Sequence, residues 1–230
     1  MASADLDSLA GFLDELAEAA AKAIMPHFRA STAVTNKAAA HFDPVTAADR
    51  DAEAAMRRLI GARYPAHGIV GEEYGPERED ARHVWVLDPI DGTRSFITGL
   101  PVWGTLIGLL EDGRPCLGMM AQPFTGERFA GDGRRAWYTG PGGGRPLATR
   151  ALGALGEAAM FTTSPYLFSA EDAEAYRRVE RAVRMARYGV DCYGYCMVAA
   201  GQADIVVEAG LQSYDIVGLI PVVEGAGGRV

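Results

Sequence analysis

The sequence predicts a layered α/β sandwich. Three observations carry this. The N-terminus shows helical periodicity. A continuous apolar strand in the middle leads into further short strands at regular spacing, and helices and strands alternate again over the last third. At 230 residues the chain suits one large domain, or two closely packed lobes, with length enough to bury a substantial core.

Residues 5–25 place Leu6, Leu9, Leu13, Leu16, Ala20, Ala23 and Ile24 on one helical face, with Pro26 near the end. Asp7, Asp14, Glu15, Glu18 and Lys22 interrupt the stretch, so it reads as an amphipathic core helix and not a signal peptide. Residues 47–63 predict a second helix with Ala52, Ala55, Met56, Leu59 and Ile60 inward. Thr46 is its N-cap, and Asp49 stands near the position of a capping-box acid. Residues 68–71 form a short strand leading into Glu72-Glu73, and 74–82 read as a charged loop. His83-Val84-Trp85-Val86-Leu87 is a nearly continuous apolar strand of the doubly buried kind, and it runs straight into Asp88-Pro89-Ile90-Asp91-Gly92-Thr93. Strands at 102–111, 114–122, 127–130 and 135–139 form an antiparallel meander punctuated by Asp112-Gly113, Thr125-Gly126 and Gly131-Asp132-Gly133. Residues 140–146 are Gly-rich but lack the Gly-Lys-Ser/Thr ending of a phosphate-binding P-loop, and so predict a plain loop. A strand over 159–163 follows, then a helix of about 170–186 capped by Ser169. The remaining elements are a helix over 192–200, a strand over 204–207, and a last helix from Tyr214-Asp215 to 225–228.

The net charge of −8 gives the chain no bulk attraction for nucleic acid or an anionic membrane. If its substrate is an anion, bound cations must supply the positive field. No uncharged apolar run approaches the roughly 18–20 residues of a membrane span, and the absence of a targeting segment favours the cytosol. Three cysteines, Cys116, Cys192 and Cys196, argue against a disulfide framework, and two of them four apart make a poor zinc site without further ligands. His27, His41, His67 and His83 are dispersed without metal-ligand spacing and read as surface or cap residues.

Asp88 and Asp91 flank a Pro-Ile turn at a buried strand end. Two carboxylates this close repel each other, and burial disfavours their charge. Either one takes a proton, giving an acid/base pair, or a cation binds, giving a metal site. Hard oxygen ligands suit Mg²⁺. Gly92 allows a tight turn whose N–H groups can face an anion, and the Thr93 hydroxyl can orient a water. Alone, this turn is only suggestive, and a polar turn with an Asx cap is the bland alternative. Other acidic residues also stand at element ends: Glu72-Glu73, Asp43-Pro44-Val45-Thr46-Ala47-Ala48-Asp49, and Tyr214-Asp215 followed by Glu224-Gly225-Ala226-Gly227-Gly228.

Taken in order, these segments resemble the inositol monophosphatase family. The carrying motifs are Trp85-Val86-Leu87-Asp88-Pro89-Ile90-Asp91-Gly92-Thr93 and the pair Tyr214-Asp215 with Glu224-Gly225-Ala226-Gly227-Gly228. The resemblance covers nearly the whole chain. It implies an αβαβα sandwich over residues 1–230, with a metal-binding lobe at 1–145 and an α/β lobe at 146–230. The family continues through one more strand and helix past the position of Val230, so those two elements are expected to be missing here.

The resemblance also implies a ligand set. Glu72, Asp88 and the Ile90 carbonyl look like ligands of a first Mg²⁺, and Asp88, Asp91 and Asp215 like ligands of a second. A third, weaker ion would lean on Glu72. Thr93, held by Asp49, would orient the attacking water, and the N–H groups of Gly92 and Thr93 would hold the phosphate. Glu73 is expected one step back from the ions. The four carboxylates carry −4, which two Mg²⁺ neutralise; a third ion suits a phosphate monoester of about −1.5 to −2 charges. The implied chemistry is metal-assisted hydrolysis without a covalent phospho-enzyme. Cys116 is followed by Leu-Gly-Met-Met-Ala-Gln, not by the five residues and arginine of a cysteine phosphatase loop.

Within the family, residues 91–101, 122–129, 161–165 and 188–193 are similar to bacterial histidinol-phosphate phosphatases, enzymes of histidine synthesis. Inositol-specific members usually carry Thr-Asn where Arg94-Ser95 stands and a small residue at Asp191. Histidinol phosphate carries an ammonium and an imidazole, so its pocket needs carboxylates beyond the metal ligands. Arg94, Asp191 and Glu208 are the substrate-side candidates; the bland alternative for Asp191 is a cap of the helix over 192–200. Inositol 1-phosphate or another sugar or nucleotide phosphate is the alternative substrate. A silent metal- or phosphate-binding regulator is the alternative class. A homodimer is implied by resemblance alone.

Overall fold

The structure, a computed structural model, describes residues 3–30, 34–36 and 44–230, so His41 and Asp43 lie outside the described residues. Helices α1 (Ser3–Ile24) and α2 (Ala47–Arg63) pack side by side on one face of an eight-stranded sheet. Their inward stripe meets the sheet where Phe12, Leu13, Leu16, Met56 and Ile60 join Trp85, Leu87, Ile107 and Leu117 in one core. Strands β1 (Val34–Asn36) and β2 (Pro44–Thr46) form a small antiparallel pair ahead of α2.

The sheet holds β3 (Gly68–Gly71), β4 (Gly75–Glu77), β5 (His83–Asp91), β6 (Gly104–Glu111), β7 (Arg114–Gln122), β8 (Glu127–Gly131), β9 (Ala136–Thr139) and β10 (Arg145–Pro146), in the order β10-β9-β8-β7-β6-β5-β3-β4. Only β3 and β5 pair in parallel; β6 to β9 form the expected meander, and β5 and β10 extend it antiparallel on its two sides. The short helix α3 (Thr93–Ile97) follows β5 directly. A second core on the opposite face joins Leu106, Met120, Phe129 and Tyr138 to α5 (Cys192–Ala199) and α7 (Ile220–Gly225). Beyond it lies a parallel sheet in the order β12 (Met185–Tyr188), β11 (Ala159–Thr162), β13 (Ile205–Val206), with α4 (Asp172–Ala182) crossing from β11 to β12. Among the described residues no helix is long and apolar enough to cross a membrane.

Five local expectations change. The charged loop at 74–82 contains β4, which pairs back on β3. The Gly-rich loop ends in β10, which pairs with β9. The helix expected over 170–186 ends at Ala182, because the Ala158 carbonyl accepts from the amides of Arg184 and Met185 and draws the chain alongside β11. The last helix divides into α6 (Ser213–Ile216) and α7, with Gly218 between them. His67 is neither a cap nor a plain surface residue: its ring stacks on Tyr64 and its Nδ1 accepts from the Trp85 indole.

A row of glycines explains that division. Gly108, Gly118 and Gly131 lie side by side on β6, β7 and β8. A Cβ on Gly118 would stand 2.1 Å from the Gly218 carbonyl oxygen, and one on Gly131 would stand 2.3 Å from that of Pro221. The chain from Gly218 to Pro221 therefore lies directly on bare sheet backbone, and Asp215 is delivered from just before it.

Candidate active site

The site lies at the end of β5. Asp88 pairs with Leu106 but Asp91 pairs with Gly104, so β5 gains one residue over β6 in a bulge. The Thr105 hydroxyl donates to the Pro89 carbonyl at 2.8 Å and pins that bulge. The Ile90 amide donates to Asp88 Oδ1 at 3.0 Å. Asp215 arrives on α6, where its Oδ2 accepts from the Gln212 amide at 2.7 Å. Asp88 is buried and Asp91 and Asp215 half-buried, and one oxygen from each lies within 4.8 Å of the others. Glu72 stands just past β3, hydrogen-bonded through its side chain to Asp88.

Three carboxylates this close cannot all keep their charge unaided. Burial, then Glu72, Asp91 and Asp215, holds Asp88 well above the usual carboxylate range. Burial and the Asp191 charge push Asp91 up to about 8, although the Cys192 amide opposes them. Burial and Glu72 bring Asp215 to about 6 against the Gln212 amide. A cluster of hard oxygens that resists ionisation fits a divalent ion such as Mg²⁺, whose charge favours the ionised form of each ligand.

Gly92 caps α3 at φ +83° without a side-chain cap, a left-handed turn that glycine adopts without strain. Thr93 departs from expectation. Its hydroxyl donates to the Ile90 carbonyl at 3.1 Å, while Asp49 Oδ2 accepts from the Thr46 amide at 2.8 Å and hydroxyl at 2.7 Å. Thr46 therefore holds Asp49, because a capping box three residues long closes locally. Asp49 still belongs to the site's field: burial raises its pKa first, and Glu72 adds to it.

Asp191 occupies the N-cap position of α5 but makes no side-chain cap bond. Asp91 does that work from across the chain, accepting from the Cys192 amide at 2.7 Å. The Asp191 backbone is strained at φ 44°, ψ −136°. Its Oδ2 accepts from the Ser95 hydroxyl at 2.9 Å and would lie 2.9 Å from a Cβ on Gly92, so it faces the Gly92 turn. Glu208 accepts from the Thr163 amide at 2.7 Å and hydroxyl at 3.0 Å, and that hydroxyl also lies in reach of Asp191. Burial raises both carboxyls, and the exposed Arg94 partly offsets this at Asp191.

Glu53 was not anticipated. It is fully buried, accepts from the Glu73 amide at 2.7 Å and the Tyr74 amide at 3.2 Å, and pairs with Arg57 Nε at 2.7 Å. Its spacing carried the signal, for Glu53 falls between Ala52 and Met56 on the inward stripe of α2. Glu73, with a nearly buried side chain, reaches outward to Arg50 at 4.0 Å.

The family model for inositol monophosphatases matches residues 5–230. The chloroplastic bifunctional phosphatase IMPL2 of Arabidopsis thaliana is 45% identical over the whole of this chain, which spans 66% of that protein's length. The histidinol-phosphatase of Mycobacterium tuberculosis is 36% identical, over 81% of this chain and 73% of its own. Among solved structures, an inositol monophosphatase from Zymomonas mobilis superposes with a TM-score of 0.85 at 44% identity, covering all of this chain and 86% of that one. That family is one of metal-dependent phosphatases, in keeping with the acidic cluster at the end of β5. The chain belongs to the inositol monophosphatase family.

Proposed function

We propose that this protein is a Mg²⁺-dependent phosphomonoesterase whose substrate is histidinol phosphate. The observation that carries the substrate class is the pair Asp191 and Glu208, joined through Thr163, with Asp191 facing the Gly92 turn from outside the metal cluster. Two half-desolvated carboxylates there suit an ester with a cationic far end. Relatives named histidinol-phosphatase at 35% and 36% identity support this reading.

In this reading Glu72, Asp88, the Ile90 carbonyl, Asp91 and Asp215 hold two or three ions. Mg²⁺, when bound by these residues, would supply Lewis acidity to activate a water and positive charge to offset that developing on the leaving oxygen. The amides of Gly92 and Thr93 hold the phosphate. The Thr93 hydroxyl spends its proton on Ile90, so its oxygen is left to accept an O–H from the attacking water. Asp191 and Glu208 orient the cationic end, with Arg94 at the mouth of the site. The same reading expects a cytosolic homodimer, which light scattering after gel filtration tests.

Side-by-side kcat/KM values for histidinol phosphate and inositol 1-phosphate test the substrate. A tenfold or greater preference for the inositol ester would sink it. No turnover of any phosphomonoester by folded protein at saturating Mg²⁺ would turn the reading to a silent binder.

A further inference from the structure

We propose that Glu53 is a positioning residue that clamps the Glu72 backbone, and so sets the protein's affinity for Mg²⁺; this rests on the reading of Glu72 as a metal ligand. Glu72 is tied on both sides. Its own amide donates to the Leu87 carbonyl of β5 at 3.2 Å. The next two amides, of Glu73 and Tyr74, both donate to the Glu53 carboxylate at 2.7 and 3.2 Å. Arg57 closes the clamp, pairing with Glu53 and donating to the Gly75 carbonyl past the turn. The carboxylate is pressed so close to β3 that a Cβ on Gly71 would lie 2.0 Å from its Oε1.

The clamp is an expensive way to make a stable turn. Burying a charge carries a large desolvation cost, and a buried ion pair often contributes no net stability. What it supplies here is geometry. Glu53 lies one helical turn after Asp49 on α2, so one rigid face carries both Asp49 and the residue that fixes the turn bearing Glu72. A carboxylate whose backbone is fixed before the ion arrives loses less freedom on binding, and groups that orient ligands in this way typically govern 10–100-fold in metal affinity.

The test is Mg²⁺ titration calorimetry on wild type, Glu53→Gln, Glu53→Met and Met56→Ala, with hydrogen exchange followed over residues 72–75. Gln keeps the shape but turns one acceptor oxygen into a donor, and Met keeps only the length. The Mg²⁺ Kd should rise roughly tenfold for Gln and further for Met, with faster exchange over 72–75 in both. Met56→Ala destabilises the same helix through its core side and should leave Kd within about twofold. Should Glu53→Met not fold, Arg57→Lys keeps the charge against Glu53 but loses the reach to Gly75, and Kd should then rise about threefold. An unchanged Kd in the Glu53 variants despite faster exchange overturns the inference, as does an equal rise in Met56→Ala. A wild-type protein that takes up no Mg²⁺ overturns the metal reading itself and the inference with it, a result distinct from the other two.

Discussion

Replacing Asp191 with glycine should separate substrate choice from fold stability. Asp191 sits at φ 44°, ψ −136°, where glycine is at ease and other residues are strained by about 1–3 kcal/mol. Its carboxylate also accepts from Ser95 and shares the Thr163 hydroxyl, bonds worth about 1 kcal/mol each. In Asp191→Gly the strain relieved and the bonds lost nearly offset, so Tm should stay within a few degrees of wild type. Asp191→Ala keeps the strain and loses both bonds, about 2 kcal/mol, or roughly 4–8 °C in a domain of this size. Both variants lose the same anionic partner for the substrate's cationic end. Losing one such contact costs about 2–3 kcal/mol, so kcat/KM for histidinol phosphate should fall roughly 30- to 150-fold in each. Nitrophenyl phosphate makes no such contact and should be spared. The assay pairs thermal melts with kcat/KM on both esters at saturating Mg²⁺. If Asp191→Gly keeps its Tm yet loses both activities equally, Asp191 serves the phosphate end and the selectivity argument fails.

Asp91→Asn should lower turnover on the order of a hundredfold or more, with little change in Tm because the amide oxygen can still accept from Cys192; wild-type rates in that variant would remove Asp91 from the ligand set. Mg²⁺ binding should depend on pH, since Asp91 is pushed up to about 8 and Asp215 to about 6. Carboxyls raised in this way favour the protonated native state, so their contribution to metal-free stability is full below about pH 4 and is lost as pH rises through those two values. Mg²⁺ must displace the same protons, so affinity should climb from pH 6 to 8.5 with measurable proton release in calorimetry; a flat profile contradicts the cluster. Gly118→Ala places a Cβ 2.1 Å from the Gly218 oxygen, and overpacking of about 1–3 kcal/mol should lower Tm by several degrees and weaken Mg²⁺ binding through Asp215. A Tm loss with unchanged Mg²⁺ affinity would show that the glycine row does not place Asp215.

Elements whose cause is local were legible. Helix α2 carries its own cap, capping box and apolar stripe within residues 46–63, and β5 is one apolar run ending in Asp88 and Asp91. The motifs around Glu72, Asp88, Asp91 and Asp215 stand at element ends, so the residues of the acidic cluster could be named before any geometry. Periodicity misled where distant backbone decided the outcome. The helix expected to run to about residue 186 stops at Ala182, because the Ala158 carbonyl captures the amides of Arg184 and Met185 and a strand begins at Met185.

The amino-acid sequence alone determined the residue types of the site and the turns that present them, because caps, apolar runs and glycine turns act over a few residues. Only the tertiary structure decided which groups meet. Asp215 reaches Asp88 because three glycines on neighbouring strands let the Gly218 turn lie on bare sheet. Asp91, and not Asp191, holds the start of α5, which frees Asp191 to face the Gly92 turn. Thr46 rather than Thr93 holds Asp49, and Glu53 holds the turn beyond Glu72. Each of these pairings but the Thr46 cap joins groups far apart in the chain, and a hydrogen bond leaves no periodicity in a sequence when its partner is supplied by packing.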